Sequence, residues 1–315
     1  MPSPLKAPPA GKVRTLAVWT AAAGTVIIWG GSPVVTRVAV DIVDPLLVGL
    51  MRTILAGIVA VPIALMMRLP APGLSAPRNL RRTALLILAA VSGFVGYPIL
   101  VSFGLEHTTA SNAGLIMACL PVLTASIAFA VDRQMPPLAW CGGALIAFAG
   151  EFALIHFRFG AGEGESALLG DLLVFAACCC AATGYVAGAR LSRHVSSWST
   201  TFWGVGLGAL LVLPILIFMG GVPMLGDIGW HGWLALLYLA LVVSVVAYVA
   251  WYWALANGGE ARAGGFQFAQ PLVTVALAVG FLNEPLTPAL ILTGLAILAG
   301  IAIIQWGGPR ARPAS

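Results

Sequence analysis

Residues 254–300 read ALANGGEARAGGFQFAQPLVTVALAVGFLNEPLTPALILTGLAILAG, and a similar plan stands 150 positions earlier in the chain. Without a gap, Leu255 falls on Leu105, Ala263 and Gly264 on Ala113 and Gly114, Pro271 on Pro121, and Thr274 on Thr124. Ala299 and Gly300 likewise fall on Ala149 and Gly150. Part of this agreement is alanine and leucine composition. A proline and a terminal glycine recurring across two apolar runs is the informative part. A half-length period in an apolar chain points to a duplicated membrane protein, and sites in such proteins lie between the halves.

Composition sets the class. Of 315 residues, 60% are hydrophobic and 9% charged, where a soluble domain carries charge on about 25%. The chain has 37 glycines and 21 prolines; those inside apolar segments imply close helix packing and kinks rather than disorder. Cys119, Cys141, Cys178, Cys179 and Cys180 lie inside apolar runs without metal-ligand spacing, so they read as small buried hydrophobes. Lys6, Lys12 and Arg14 ahead of the run from Leu16 resemble a secretory signal, with Ala21 to Ala23 as a mock cleavage site. The run continues through Trp29 and belongs to the helices that follow, so the expectation is an uncleaved first helix.

A spanning helix needs about 20 apolar residues, and ten such segments are expected. They lie near 16–37, 45–67, 83–104, 109–130, 138–157, 170–190, 199–219, 231–255, 261–282 and 287–306. The longest polar stretches, 68–82 and 158–166, leave no room for a soluble domain, and the tails 1–11 and 307–315 are expected to be disordered. With a cytoplasmic N-terminus, the inner side collects Lys6, Lys12, Arg14, Arg68, Arg78, Arg81, Arg82, Arg133, Arg190, Arg193, Arg262, Arg310 and Arg312, against Arg37 and Arg158 outside. This asymmetry places both termini in the cytoplasm. Two repeats of five helices, near 13–157 and 168–306, then enter the membrane in opposite orientations. Inverted repeats are a transporter architecture. The fold expected is one all-α transmembrane domain of ten helices in two inverted five-helix repeats.

Ordered motifs along nearly the whole chain resemble the EamA-type half of the drug/metabolite transporter (DMT) superfamily. Trp29-Gly30-Gly31-Ser32 with Arg37 stands for its first-helix turn, Pro45 and Arg52 for its second helix, and residues 109–113 with Pro121 for its fourth. Pro271 repeats that core, and Glu284-Pro285 matches the family's turn before the last helix. Gln134 stands where the first half of the family has Glu, so that turn cannot rest on a charge. The arrangement is most similar to amino-acid exporters of the YddG type. The resemblance implies export of a small solute across the cell membrane.

Polar groups inside spans are expensive and should face the interior. Gln267 and Gln270 share a helix face with Thr274, and Pro271 leaves the carbonyl of Gln267 without its helical donor. Pro121 does the same for Met117, and Pro98 for Phe94 beside Tyr97. In the eighth segment Ser244, Tyr248, Trp251 and Tyr252 share a face, whereas Trp253 fits an interfacial belt. Asn112 and Tyr185 are further candidate substrate contacts. Each is as compatible with helix packing as with ligand contact. Arg52 and Glu151 are the ionisable residues within spans, and both count toward the outer side. A structural pair between them, or with outer groups such as Glu106, is the first expectation and gating the second. His107 and His156 fall at outer segment ends.

There is no His-Glu-x-x-His and no nucleotide-binding glycine loop followed by Lys. Neither catalysis, a cofactor nor a metal is expected, and the basic balance orients helices rather than binding nucleic acid. The expected partners are a small molecule and the lipid bilayer, with monomer and oligomer both open. The expected lining from helices 3, 4, 8 and 9 lacks a mid-span charge. That favours neutral or zwitterionic solutes, amino acids including aromatic ones first, moved by alternating access in a facilitative uniporter. Alternatives are a proton-coupled drug, metabolite or nucleotide-linked permease and, from another class, a membrane enzyme or non-transporting scaffold.

Overall fold

A computed structural model describes residues 12–72, 80–133, 135–160, 164–192, 194–250, 254 and 269–307. Within these the secondary structure is helical. We number the long elements α1 (Lys12–Val40), α2 (Pro45–Met66), α3 (Leu80–His107), α4 (Ala110–Asp132) and α5 (Leu138–Gly160). The second half supplies α6 (Gly164–Ser192), α7 (Ser197–Phe218), α8 (Trp230–Ala250), α9 (Gln270–Leu282) and α10 (Pro288–Gly307). Seven of these, α1 to α4 and α6 to α8, are described as long and apolar enough to cross a membrane. The apolar parts described of α5, α9 and α10 are shorter. The described elements fall within or close to the expected apolar segments, with α6 beginning six residues earlier than 170; the expected end of the eighth segment and start of the ninth, at 255 and 261, lie outside the described residues.

Local chemistry sets the ends. The Asp44 carboxylate accepts from the Leu47 amide at 3.0 Å and Pro45 opens α2, so α2 has a side-chain cap and a first turn that needs no proline N–H. Ser196 caps α7 by accepting from Ser199 N–H at 3.1 Å. In α4, Ala118 and Cys119 donate back three residues, to Leu115 and Ile116, and interrupt the helix just before Pro121. Helix α3 widens into a π segment at Ala90–Gly96, directly ahead of Pro98. The Phe94 carbonyl, left without a proline N–H four residues on, accepts from Thr53 Oγ1 at 2.6 Å instead.

The duplication read in the sequence is also geometric. Leu120–Asp132 and Gln270–Leu282 are helices of the same length 150 positions apart. Both end on a left-handed residue, Arg133 at φ 52° and Asn283 at φ 54°. The π segment of α3 ends at Gly96, and that of α8, Tyr238–Val246, ends 150 positions later. Helices α5 and α10 pack reciprocally: a Cβ on Gly150 would meet Ile297 at 3.0 Å, and one on Gly300 would meet the Gly143 carbonyl at 2.5 Å. Such self-complementary contact is what a two-fold relation produces.

Contacts between helix ends define the two ends of the bundle. At one, Arg37 Nη1 donates to the carbonyls of Leu105 (2.8 Å) and Glu106 (3.2 Å), and Thr108 donates to the Asp171 carboxylate. The turn after α9 reaches the start of α4 there, through Glu284. The two helices equivalent under the repeat, α4 and α9, therefore run antiparallel, as inversion requires. At the other end Arg190 pairs with Asp132, and Trp203 Nε1 donates to the Leu69 carbonyl at 3.3 Å. Lys12, Arg14, Arg68, Arg81, Arg82, Arg133 and Arg190 belong to this second end, which is the basic end of the molecule.

The main core joins α1, α2, α3, α4, α6 and α8 through Leu47, Leu50, Val101, Leu105, Ile116 and Leu239, all essentially inaccessible. A separate cluster holds α5 and α10 against α4 through Leu115, Val122, Ala147 and Ile297.

Candidate solute site

Where α1, α2, α3 and α8 meet, the apolar interior gives way to a compact polar and aromatic cluster. Its charge is Arg52, buried with 7% of its surface exposed. Arg52 Nε donates to Ser244 Oγ at 3.4 Å and Nη1 to Ser32 Oγ at 3.5 Å, while the guanidinium stands over the Tyr97 ring with Cζ 5.6 Å from its centroid. At about 1.5 Å per residue, Arg52 lies about 10 Å inside the start of α2, Ser32 about 12 Å inside the end of α1, and Tyr97 about 15 Å inside the end of α3. All three counts start from the end of the bundle that carries Glu284, so the cluster sits at a common depth well inside it.

The Ser244 hydroxyl is held by its own helix. Ser244 Oγ donates to the Leu239 carbonyl five residues back at 2.9 Å, a carbonyl within the π segment, which turns the Ser244 lone pairs toward Arg52. Trp29 and Tyr248 lie one turn away along α1 and α8 and meet edge to face, with centroids 5.1 Å apart. Trp29 Nε1 donates to the Val243 carbonyl at 3.2 Å, and Tyr238 Oη to the Ile28 carbonyl at 3.3 Å. Helix α9 approaches α1 at Gly30, where a Cβ would lie 2.7 Å from Val273. A glycine is required at this crossing. Thr274 Oγ1 donates across it to the Gly30 carbonyl at 2.8 Å and back to the Gln270 carbonyl at 3.1 Å.

The candidate residues therefore divide. Tyr97, Ser244 and Tyr248 come together around Arg52 and Trp29. Gln270 and the buried Pro271 stand at the adjoining α1–α9 crossing. Met117 is buried in the same core, and Asn112 is buried in the first turn of α4, where its amide donates to Thr109 Oγ1 at 3.3 Å. Pro121 opens the second segment of α4. Tyr185 is 40% exposed on α6. Trp251, Tyr252 and Gln267 fall outside the described residues, as does the Glu151 side chain on α5. Glu106 pairs with its neighbour His107 at 3.7 Å, and no carboxylate of the described residues lies within ion-pair distance of Arg52. An Arg52–Glu106 pair does not form, hydroxyl and ring contacts standing in its place, and the expected Arg52–Glu151 pair lies outside the described residues. Ser32, Trp29 and Tyr238 were not singled out as site residues from sequence; Ser32 and Trp29 stood in the first-helix motif, which carries no depth information.

A cleft of about 360 Å³ between α5 and α10 is lined by Ile146, Ala149, Gly150, Ala153, Leu292, Thr293 and Ala296. Its one hydroxyl is spent on the Ala289 carbonyl at 2.7 Å. It offers nothing to orient a polar solute, and the Arg52 cluster is the better candidate on chemistry.

Comparison with known proteins agrees with this architecture. The model of the EamA-like transporter family matches twice, over residues 17–155 and 168–306. The uncharacterized transporter YdeK of Bacillus subtilis is 31% identical over 88% of this chain and 93% of its own. The uncharacterized inner membrane transporter YedA of Escherichia coli is 26% identical over 83% and 81%. A solved crystal structure with 20% identity covers 93% of this chain and 96% of its own, with a TM-score of 0.58. The chain is a multi-pass protein of the cell membrane and a transporter rather than an enzyme, and it belongs to the EamA-like transporter family.

Proposed function

We propose that this transporter exports small neutral or zwitterionic metabolites, amino acids including aromatic ones foremost, by alternating access between its inverted repeats. One observation carries this reading: a buried set of hydroxyls, aromatic rings and one guanidinium at the junction of α1, α2, α3 and α8, within an otherwise apolar bundle. Such a set binds a solute with a polar head and an apolar body. Placing the basic end inside puts both termini of the proposed ten spans in the cytoplasm. Helix α5, which carries Glu151, packs chiefly on α10, away from the cluster. That position supports a uniporter in which solute runs down its own gradient, rather than a central proton relay.

Purified protein in liposomes tests this. Preloaded unlabelled amino acid should drive counterflow of labelled amino acid without an imposed pH difference. Uphill accumulation driven by protons and lost in Glu151→Gln would replace the uniporter with a coupled carrier.

A further inference from the structure

Among the described residues, Arg52 is a cation without an anion. A guanidinium has five N–H donors, and here two point at serine oxygens at the long limit of a hydrogen bond. Its burial costs several kcal/mol unless an opposite charge offsets it, and the described residues supply none. The Tyr97 face fixes the plane of the fork without neutralising it. Ser32 and Ser244 flank the fork from opposite helices.

The surroundings of this charge have a direction. Trp29 precedes Ser32 by three residues on α1, and Tyr248 follows Ser244 by four on α8, so each aromatic shares a face with its serine. Helix α1 runs away from the basic end and α8 toward it, so both aromatics lie on the basic-end side of the hydroxyls. An edge-to-face aromatic pair thus stands about one helical turn, about 5.4 Å, from the cation.

We propose that Arg52 is the carboxylate-binding group of the solute site, and that solutes lie with the carboxylate on Arg52 and Ser32 and the side chain toward Trp29 and Tyr248. The inference rests on the transport reading and narrows it. Zwitterionic amino acids and small monocarboxylates fit; organic cations and solutes lacking a carboxylate do not. Arginine presents parallel donors that a carboxylate accepts in pairs, a geometry lysine cannot reproduce.

Two measurements on the full-length protein decide this. In detergent, thermal unfolding is followed with phenylalanine, N-acetylphenylalanine, benzoate and phenylalaninamide, the last keeping the side chain without the carboxylate. The three carboxylates should raise the melting temperature of the wild type and the amide should not; Arg52→Gln should abolish the effect. Arg52→Lys should weaken it at least tenfold in apparent affinity, and Ser32→Ala should weaken it while leaving the charge, which covers the case in which Arg52→Gln fails to fold. Tyr248→Ala should change the ranking among carboxylates but not the need for one. In liposomes, the same solutes compete for counterflow. Stabilisation by the amide equal to that by the acids, or by none of the probes, overturns the assignment. Flux of uncharged solutes that survives Arg52→Gln also overturns it while leaving the transporter reading intact. Carboxylate-specific stabilisation without flux of any solute would sink the transport proposal and keep the binding site.

Discussion

Removing the Glu284 carboxylate should loosen the end of the bundle that it closes. Its two oxygens accept from the amides of Ala110 at 2.7 Å and Ser111 at 2.8 Å, the first two helical residues of α4. Thr109 Oγ1 takes the third, Asn112 N–H, so three N–H groups that a helix start leaves open are satisfied by side chains. Hydrogen bonds to a charged acceptor contribute about 1.5–3 kcal/mol each, and the α4 dipole adds about 0.3–1 kcal/mol. Glu284 is half-buried, so water recovers part of the loss, and Glu284→Ala should cost about 2–4 kcal/mol. Glu284→Gln keeps one acceptor but turns an amide donor toward the second N–H, and should cost about 2 kcal/mol. Thermal unfolding in detergent measures both. Glu106→Gln at the same end is the control, since the Glu106–His107 pair is partly exposed and contributes about 0–1 kcal/mol. If Glu284→Ala melts no lower than Glu106→Gln, the carboxylate does not hold the two repeats together there.

Three further outcomes are expected. Gly300→Leu should prevent folding, because its Cβ alone would lie 2.5 Å from the Gly143 carbonyl, whereas Gly280→Ala meets nothing within 4 Å and should be neutral or stabilising by about 1 kcal/mol; yield of monodisperse protein reads both. Thr53→Val removes the hydroxyl on the Phe94 carbonyl and should cost about 1–3 kcal/mol in thermal unfolding. Single cysteines at Arg78 and Arg193 should label from the cytoplasm and those at Gly162 and Gly229 from outside, and cytoplasmic labelling at Gly162 would refute the proposed orientation.

Much of the fold was legible because lipid imposes regular apolar lengths and because two halves obey one plan. Pro121 and Pro271 marked a break and a helix start that now stand 150 residues apart in the structure. The π segments were not legible. A proline predicts a lost hydrogen bond, as Pro98 did, but not that the preceding turn widens or that Thr53, on another helix, takes the freed carbonyl. Arg52 was seen as an intramembrane charge, but sequence shows depth and not azimuth, so its hydroxyl neighbours could not be read. Its actual neighbours Ser32 and Ser244 lie 20 and 192 residues away and converge only through packing.

The two ends of the bundle differ by one functional group, and that difference bears on the proposed alternation. The residue 150 positions before Glu284 is Gln134, which lies outside the described residues. In the 150-residue period it corresponds to Glu284, and an amide offers one acceptor oxygen where a carboxylate offers two. Closure at the Glu284 end is then favoured over closure at the basic end by about one charge-assisted bond, roughly 2 kcal/mol or about thirtyfold in population. A resting protein closed to the outside and open to the cytoplasm suits an exporter, whose solute arrives from within. Gln134→Glu should cancel the bias and Glu284→Gln should do so from the opposite side. The assay is the labelling rate of a cysteine at Ser32, inside the solute site, by an impermeant thiol reagent added outside. Both variants should raise that rate, and the double exchange Gln134→Glu with Glu284→Gln should raise it most. Equal rates in all four proteins would show that the Gln/Glu difference does not set the resting state.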